Sequence, residues 1–175
     1  MELNNIPYEV SYRNIKYPRI ELKTGKLLLV LPFGFKPEIV LRKHKRWILK
    51  KIEFIEDCLK KAENKEIKER TERDFREIIY SLAERISDEL DEKLNKIYFR
   101  TMKTKWASCS AKRNLTVNQL MKFLPEYLLY YIIFHEIAHL KQKRHNERFW
   151  EIIAKEFDNY AALERELFIY WFCVG

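Results

Sequence analysis

The chain has 175 residues, of which 47% are hydrophobic and 34% charged, and its formal net charge is +8. That length suits one domain, or a compact domain with a small appendage, with enough apolar material for a buried core. The first residues lack the basic-then-apolar order of a secretory signal, and no apolar run approaches the ~20 residues that span a bilayer. Three widely spaced cysteines, Cys58, Cys109 and Cys173, form no Cys-x-x-Cys pair. This argues for reduced thiols in a cytoplasmic protein and against a disulfide framework or a cysteine zinc site.

In chain order, residues 8–13, 19–23 and 26–32 read as short strands, with Thr24-Gly25 as a tight turn between the last two. A small antiparallel hairpin or meander is expected there. From Pro37 to Glu63, apolar residues at Leu41, Ile48, Ile52, Ile55 and Leu59 trace one face of a helix. This helix holds Arg42, Lys43, Lys45, Arg46, Lys50 and Lys51 in ten residues without an acid, six of the eight net charges of the chain. Such a stripe is a solvated helix face or a binding surface for nucleic acid. His44, within it, has no partner pattern and reads as a solvated residue.

A second helical pattern runs from 67 to 95 through Phe75, Ile78, Ile79, Leu82, Ile86, Leu90 and Leu94. The polar stretch 62–69 between the two helices is the expected boundary, dividing the chain into 1–65 and 66–175. Residues 97–102 and 115–121 read as strands and 106–114 as the turn between them. Pro125 opens a helix reaching Lys141. Asn146 is a candidate N-cap for a helix whose apolar face is Phe149, Trp150, Ile153 and Phe157. A last helix covers 161–172. The class is therefore α+β.

The chemistry concentrates on the helix before Lys141. His135 and His139 are four residues apart, which on an α-helix is about 40° of rotation and ~6 Å of rise. Both imidazoles leave the same face and suit one Zn²⁺ ion. Glu136 lies beside them, poorly placed as a ligand and well placed to take a proton from water activated by the metal. A catalytic zinc needs a third protein ligand and one open position. His145, beyond a basic segment where the helix ends, is the candidate, with a carboxylate elsewhere as the alternative. The spacing also occurs in metzincins, but Gln142 stands where their glycine would be, and all three methionines precede the motif.

The order Trp106-Ala107-Ser108-Cys109-Ser110, then Leu115 and Asn118, then His135-Glu136-Ile137-Ala138-His139, then His145-Asn146-Glu147-Arg148-Phe149-Trp150 resembles the YgjP-like family of small metallopeptidases, related to SprT-like and Wss-type proteases. Ala107 replaces that family's usual glycine and Asn146 its usual serine. The resemblance implies that His135, His139 and His145 are zinc ligands and Glu136 the catalytic base. It also implies a minimal zincin core, gluzincin-like, of helices on a short antiparallel sheet, with substrate along an edge strand above the metal. Residues 115–120 are the expected edge, where an extended peptide adds as a further strand.

The expected function is zinc-dependent hydrolysis of peptide bonds in a peptide or protein. The alternatives are a protease of DNA-bound proteins, a zinc hydrolase of a phosphoanhydride, and a non-catalytic binding module, which would not need Glu136. The sequence leaves the oxyanion-stabilising group open among Tyr127, Tyr130, Tyr131 and Tyr160, and leaves the oligomeric state open.

Overall fold

The computed structural model describes residues 7–23 and 26–174. The turn expected at Thr24-Gly25 lies outside the described residues. The chain groups into two compact units, Met1–Asn64 and Lys65–Gly175, and the class is α+β. No helix among the described residues is long and apolar enough to cross a membrane.

The first unit holds strands β1 (Tyr8–Tyr12), β2 (Arg19–Lys23) and β3 (Lys26–Leu31), followed by helix α1 (Pro37–Ala62). β2 and β3 form the expected antiparallel hairpin. β1 departs from a meander: it pairs parallel to β3, with Val10 opposite Leu29. The order β1-β3-β2 makes β3 central, which suits its near-continuous apolar run. Leu27, Leu29 and Leu31 from one face of β3 bury against Val40 and Ile48 of α1. Pro37 starts that helix, where its missing N–H costs nothing. The helix kinks at His44 (φ −109°, ψ 15°). His44 is half-buried rather than solvated, in a shallow hollow with Pro18, Ile20, Val40 and Trp47.

The second unit begins with helix α2 (Glu72–Glu89), shorter at both ends than its apolar spacing implied. Thr71 caps it by accepting from Asp74 N–H at 3.1 Å. Asp91, at φ 48°, turns the chain out of helical geometry at the other end. The Arg70 guanidinium ties the segment before α2 to the carbonyls of Lys122 and Leu124.

The second sheet comprises β4 (Lys96–Arg100), β5 (Ala107–Cys109) and β6 (Asn114–Asn118), in the order β4-β6-β5. Three expectations need correction. The stretch expected as a turn contains β5, and the expected edge strand, β6, is central. β6 pairs parallel with β4 and antiparallel with β5, so this sheet is mixed rather than antiparallel. Leu115 and Val117 are fully buried, as a central strand requires. The outer strands are β4 and β5.

Asn118 ends β6 completely buried and fully bonded. Its amide donates to the carbonyls of Met102 and Lys105, each at 2.8 Å, and its Oδ1 accepts from Met102 and Leu120 N–H at 3.3 and 3.2 Å. This one side chain fixes the loop that delivers the chain to β5.

Helix α3 (Glu126–Lys141) follows. Leu128, Leu129, Tyr131, Ile132, Ile133, Phe134, Ile137 and Ala138 are all buried, so it is a core helix with no wide polar face. Helix α4 (Glu147–Glu156) starts at Asn146, whose side chain accepts from Phe149 N–H at 3.2 Å as the cap pattern implied. Helix α5 (Tyr160–Val174) completes the unit. A single core joins α2, α3, α4, α5 and the sheet.

Candidate metal centre

α3 presents His135 and His139 one turn apart. The helix stops at Gln142, which is extended (φ −137°, ψ 107°), and a tight turn bonds Asn146 N–H to the Arg144 carbonyl at 2.8 Å. The chain is thereby reversed within a few residues, and His145 faces the other two. One ring nitrogen from each of His135, His139 and His145 lies within 4.8 Å of the others. The His135 and His145 Nε2 atoms are 3.0 Å apart. In a tetrahedral site with Zn–N bonds of about 2.0–2.1 Å, neighbouring nitrogens are roughly 3.3–3.4 Å apart. The three-nitrogen cluster fits a cation of that kind.

The floor of the cluster is Phe149, fully buried, with its ring centroid 4.9, 4.6 and 4.8 Å from those of His135, His139 and His145. Trp150 stacks on His145, and Tyr160 stacks on Trp150. These contacts fix the ring planes before any ion arrives. The Nδ1 of His139 lies 3.2 Å from the Gln142 carbonyl. A proton on Nδ1 makes that bond and leaves Nε2 free as an acceptor. Burial first, then the neighbouring His139 and His145, pushes the His135 imidazole down to about 3. It is therefore neutral at neutral pH, the form a ligand needs.

Glu136 opens on the same cleft, which has a volume of about 970 Å³. Its Oε2 accepts from the backbone N–H of Cys109, on β5, at 2.8 Å. Burial raises the Glu136 carboxyl above the ordinary range, and the Cys109 N–H partly opposes this. A carboxylate whose proton affinity is raised is better suited to accept and return a proton. The Cys109 thiol is pushed up to about 11, by burial first and then by Glu136, so it stays protonated.

The four tyrosines left open by the sequence now separate. Tyr127 donates to Glu166 at 2.8 Å, Tyr130 to Glu156 at 2.7 Å and Tyr131 to Glu164 at 2.5 Å, and Tyr160 is the ring stacked on Trp150. Only Tyr131 among them lines the cleft, with its hydroxyl committed to Glu164. Glu164, on α5, was not singled out from the sequence. Its carboxylate lies 3.7 Å from His135 Nδ1. It stands 25 residues beyond His139 on a separate helix, and no local spacing links the two.

Among curated proteins, none matches the chain. Solved structures similar to the chain include two metallopeptidase zymogens. The metallopeptidase zymogen of Pyrococcus abyssi abylysin is 30% identical, covering 52% of this chain and 90% of that one, with a TM-score of 0.46. The metallopeptidase zymogen of Methanocaldococcus jannaschii jannalysin is 34% identical, covering 53% and 93%, also with a TM-score of 0.46. The model of one sequence family, the YgjP-like metallopeptidase domain, matches residues 56–169. That match takes in β4 to β6, the histidine cluster, Glu136 and most of α5. By this match, over more than half of its length, the chain belongs to the YgjP-like metallopeptidases.

Proposed function

We propose that this metallopeptidase is a zinc enzyme in which His135, His139 and His145 hold the ion and Glu136 is the general base. The observation that carries the reading is the convergence of three imidazole nitrogens beside a buried carboxylate in one cleft. When bound, zinc supplies a Lewis acid that brings the pKa of water down to about 7 and polarises a carbonyl. The Oε2 of Glu136 is held by Cys109 N–H, so Oε1 is the oxygen that takes the proton of the attacking water. The same carboxyl then returns that proton to the amine nitrogen as the peptide bond breaks.

β5 orients the substrate in this reading. It bonds to β6 through the Trp106 carbonyl and the Ser110 N–H. Backbone groups alternate along an antiparallel strand, so those of Ala107 and Cys109 face away from β6. Cys109 N–H is committed to Glu136. The Ala107 N–H and C=O remain for an extended peptide, which would add as a further strand along the cleft.

The test is metal content and proteolysis measured together on the wild type and on Glu136→Gln, with unfolded casein and nucleotides as parallel substrates. The expected result is about one equivalent of zinc in both proteins and casein cleavage in the wild type alone. Full activity in Glu136→Gln removes Glu136 from the mechanism, and nucleotide hydrolysis without casein cleavage removes the zinc-peptidase reading.

A second reading adds a nucleic-acid partner to the same enzyme. Arg42, Lys43, Lys45, Arg46, Lys50 and Lys51 are all exposed on α1, with Trp47 46% exposed among them. Cations around an exposed indole suit a phosphate backbone and its bases. DNA binding that weakens steeply with salt and is lost on neutralising Lys43, Lys45 and Arg46 supports it. No binding at low salt removes it.

A further inference from the structure

We infer that Glu164 is a positioning residue for the metal centre: held by Tyr131, it takes the Nδ1 proton of His135 as a hydrogen bond and so sets the tautomer that turns Nε2 toward the ion. The inference rests on the zinc reading of the three histidines, and it begins from an anomaly. The Nδ1 of His135 is a buried polar atom without a hydrogen-bond partner. Buried ring nitrogens are ordinarily paired, because an orphaned one forfeits its bonds to water. The acceptor placed beside it is Glu164 Oε1, at 3.7 Å.

The Glu164 side chain is 47% exposed, but it is tethered. The same Oε1 accepts the Tyr131 hydroxyl at 2.5 Å. Tyr131 is 1% exposed and sits one turn before His135 on α3, with ring centroids 6.0 Å apart. Tyrosine and histidine therefore rise from one face of α3, and a single carboxylate from α5 reaches both. With His135 Nε2 at 3.0 Å from His145 Nε2, Nε2 is the nitrogen on the ligand side and Nδ1 the one on the carboxylate side. A metal-bound imidazole is a stronger N–H donor than a free one, which favours closure of the gap to Glu164 on loading. A carboxylate on the outer nitrogen orients the ring and raises its basicity as a ligand.

The fold supplies its own control. One turn earlier on α3, Tyr127 donates to Glu166 of α5 at 2.8 Å, the same pairing on the same two helices. Glu166 does not contact the histidines. It pairs with Lys65 instead. Changing either carboxylate to an amide weakens a tyrosine tie between α3 and α5, but only at Glu164 does it replace the charged acceptor beside His135 with a weaker neutral one.

The experiment measures Zn²⁺ dissociation constants by competition with a chromophoric chelator, and the visible d–d absorption of Co²⁺-loaded protein. It compares wild type, Glu164→Gln, Tyr131→Phe and Glu166→Gln. Glu164→Gln is expected to weaken zinc binding by about 10- to 100-fold and to shift the cobalt bands. Tyr131→Phe moves both in the same direction by less, and Glu166→Gln moves neither. Zinc affinity within two-fold of wild type in Glu164→Gln, with an unchanged cobalt spectrum, overturns the inference. So does equal weakening in Glu166→Gln, which would assign the effect to helix docking. A wild-type protein that binds neither metal overturns the zinc reading itself, and this inference with it.

Discussion

The backbone N–H of Cys109 and the side chain of Glu136 are joined by a 2.8 Å hydrogen bond, so edge strand β5 and a carboxylate of α3 share one contact. In the proposed mechanism, substrate alignment and proton transfer meet at this one peptide unit. Because the N–H stabilises the ionised carboxylate, it holds the Glu136 pKa below the level that burial alone would set.

Replacing Cys109 by proline removes that N–H while leaving the pairing of β5 intact, since the group points away from β6 and an outer strand tolerates proline on its open side. The Glu136 pKa then rises. The acid limb of kcat/KM against pH is expected to move to higher pH in Cys109→Pro and to stay in place in Cys109→Ala, which keeps the N–H. A limb that moves equally in both variants would assign the effect to the thiol. An unmoved limb in Cys109→Pro would remove the hydrogen bond from the control of Glu136.

Asn118 is expected to be among the costliest polar positions to change. In Asn118→Ala, the carbonyls of Met102 and Lys105 and the N–H groups of Met102 and Leu120 lose their side-chain partner together. Removing one partner of buried hydrogen bonds costs about 1–3 kcal/mol per stranded group. Relaxation of the loop makes a total of about 2–4 kcal/mol the reasonable expectation for the variant. Urea unfolding with an unchanged slope checks it. Because the loop feeds directly into β5, peptidase activity under folding conditions should fall as well.

The metal-free protein should lose stability in mild acid. The folded-state pKa of His135, about 3, lies below its unfolded value. From about 6.5 downward, the unfolded chain binds a proton that the folded chain refuses. Stability is complete above that pH and is lost as pH falls toward 3, with a slope approaching about 1.4 kcal/mol per pH unit. Glu136 acts in the opposite sense. Its folded pKa is raised, so its contribution is present below about 4.5 and is lost as pH rises through the folded value. Denaturation of the apoprotein between pH 4 and 6.5, compared with His135→Gln, isolates the first effect. A wild-type slope no steeper than that of the variant would refute it.

Much of this site was readable in one dimension, and the reason is geometric. His135, Glu136 and His139 share a helix turn, so their juxtaposition follows from helical pitch. Asn146 announces the next helix, and that start delivers His145. What escaped has an equally physical origin. β5 is three residues long, too short for alternation to mark it against a turn. The central place of β6 depends on which strands flank it, and its own five residues carry no record of that. α2 is shorter than its apolar spacing because Thr71 and Asp91 set its limits by capping and by backbone angle. Glu164 reaches His135 only through the docking of α5 on α3, and long-range docking leaves no local periodicity.

Asn146 allows the link between a local cap and the metal centre to be measured. Its side chain satisfies Phe149 N–H at 3.2 Å, and its own N–H closes the turn that follows α3. Loss of an N-cap costs about 1 kcal/mol, a modest change for the whole unit. The residue before it is His145, and the residue it caps is the Phe149 floor beneath all three imidazoles. Fraying of the first turn of α4 therefore loosens one proposed ligand and its support together. Asn146→Ala is expected to lower zinc affinity by a larger factor than a stability loss of about 1 kcal/mol would produce if affinity were merely tracking folding. Asn146→Ser, which retains a side-chain acceptor, is expected to restore most of both. Chelator competition and thermal unfolding on the two variants check this. Equal zinc affinity in Asn146→Ala and the wild type would show that the return of His145 is set by the Gln142 turn and the Trp150 stack, without help from the cap.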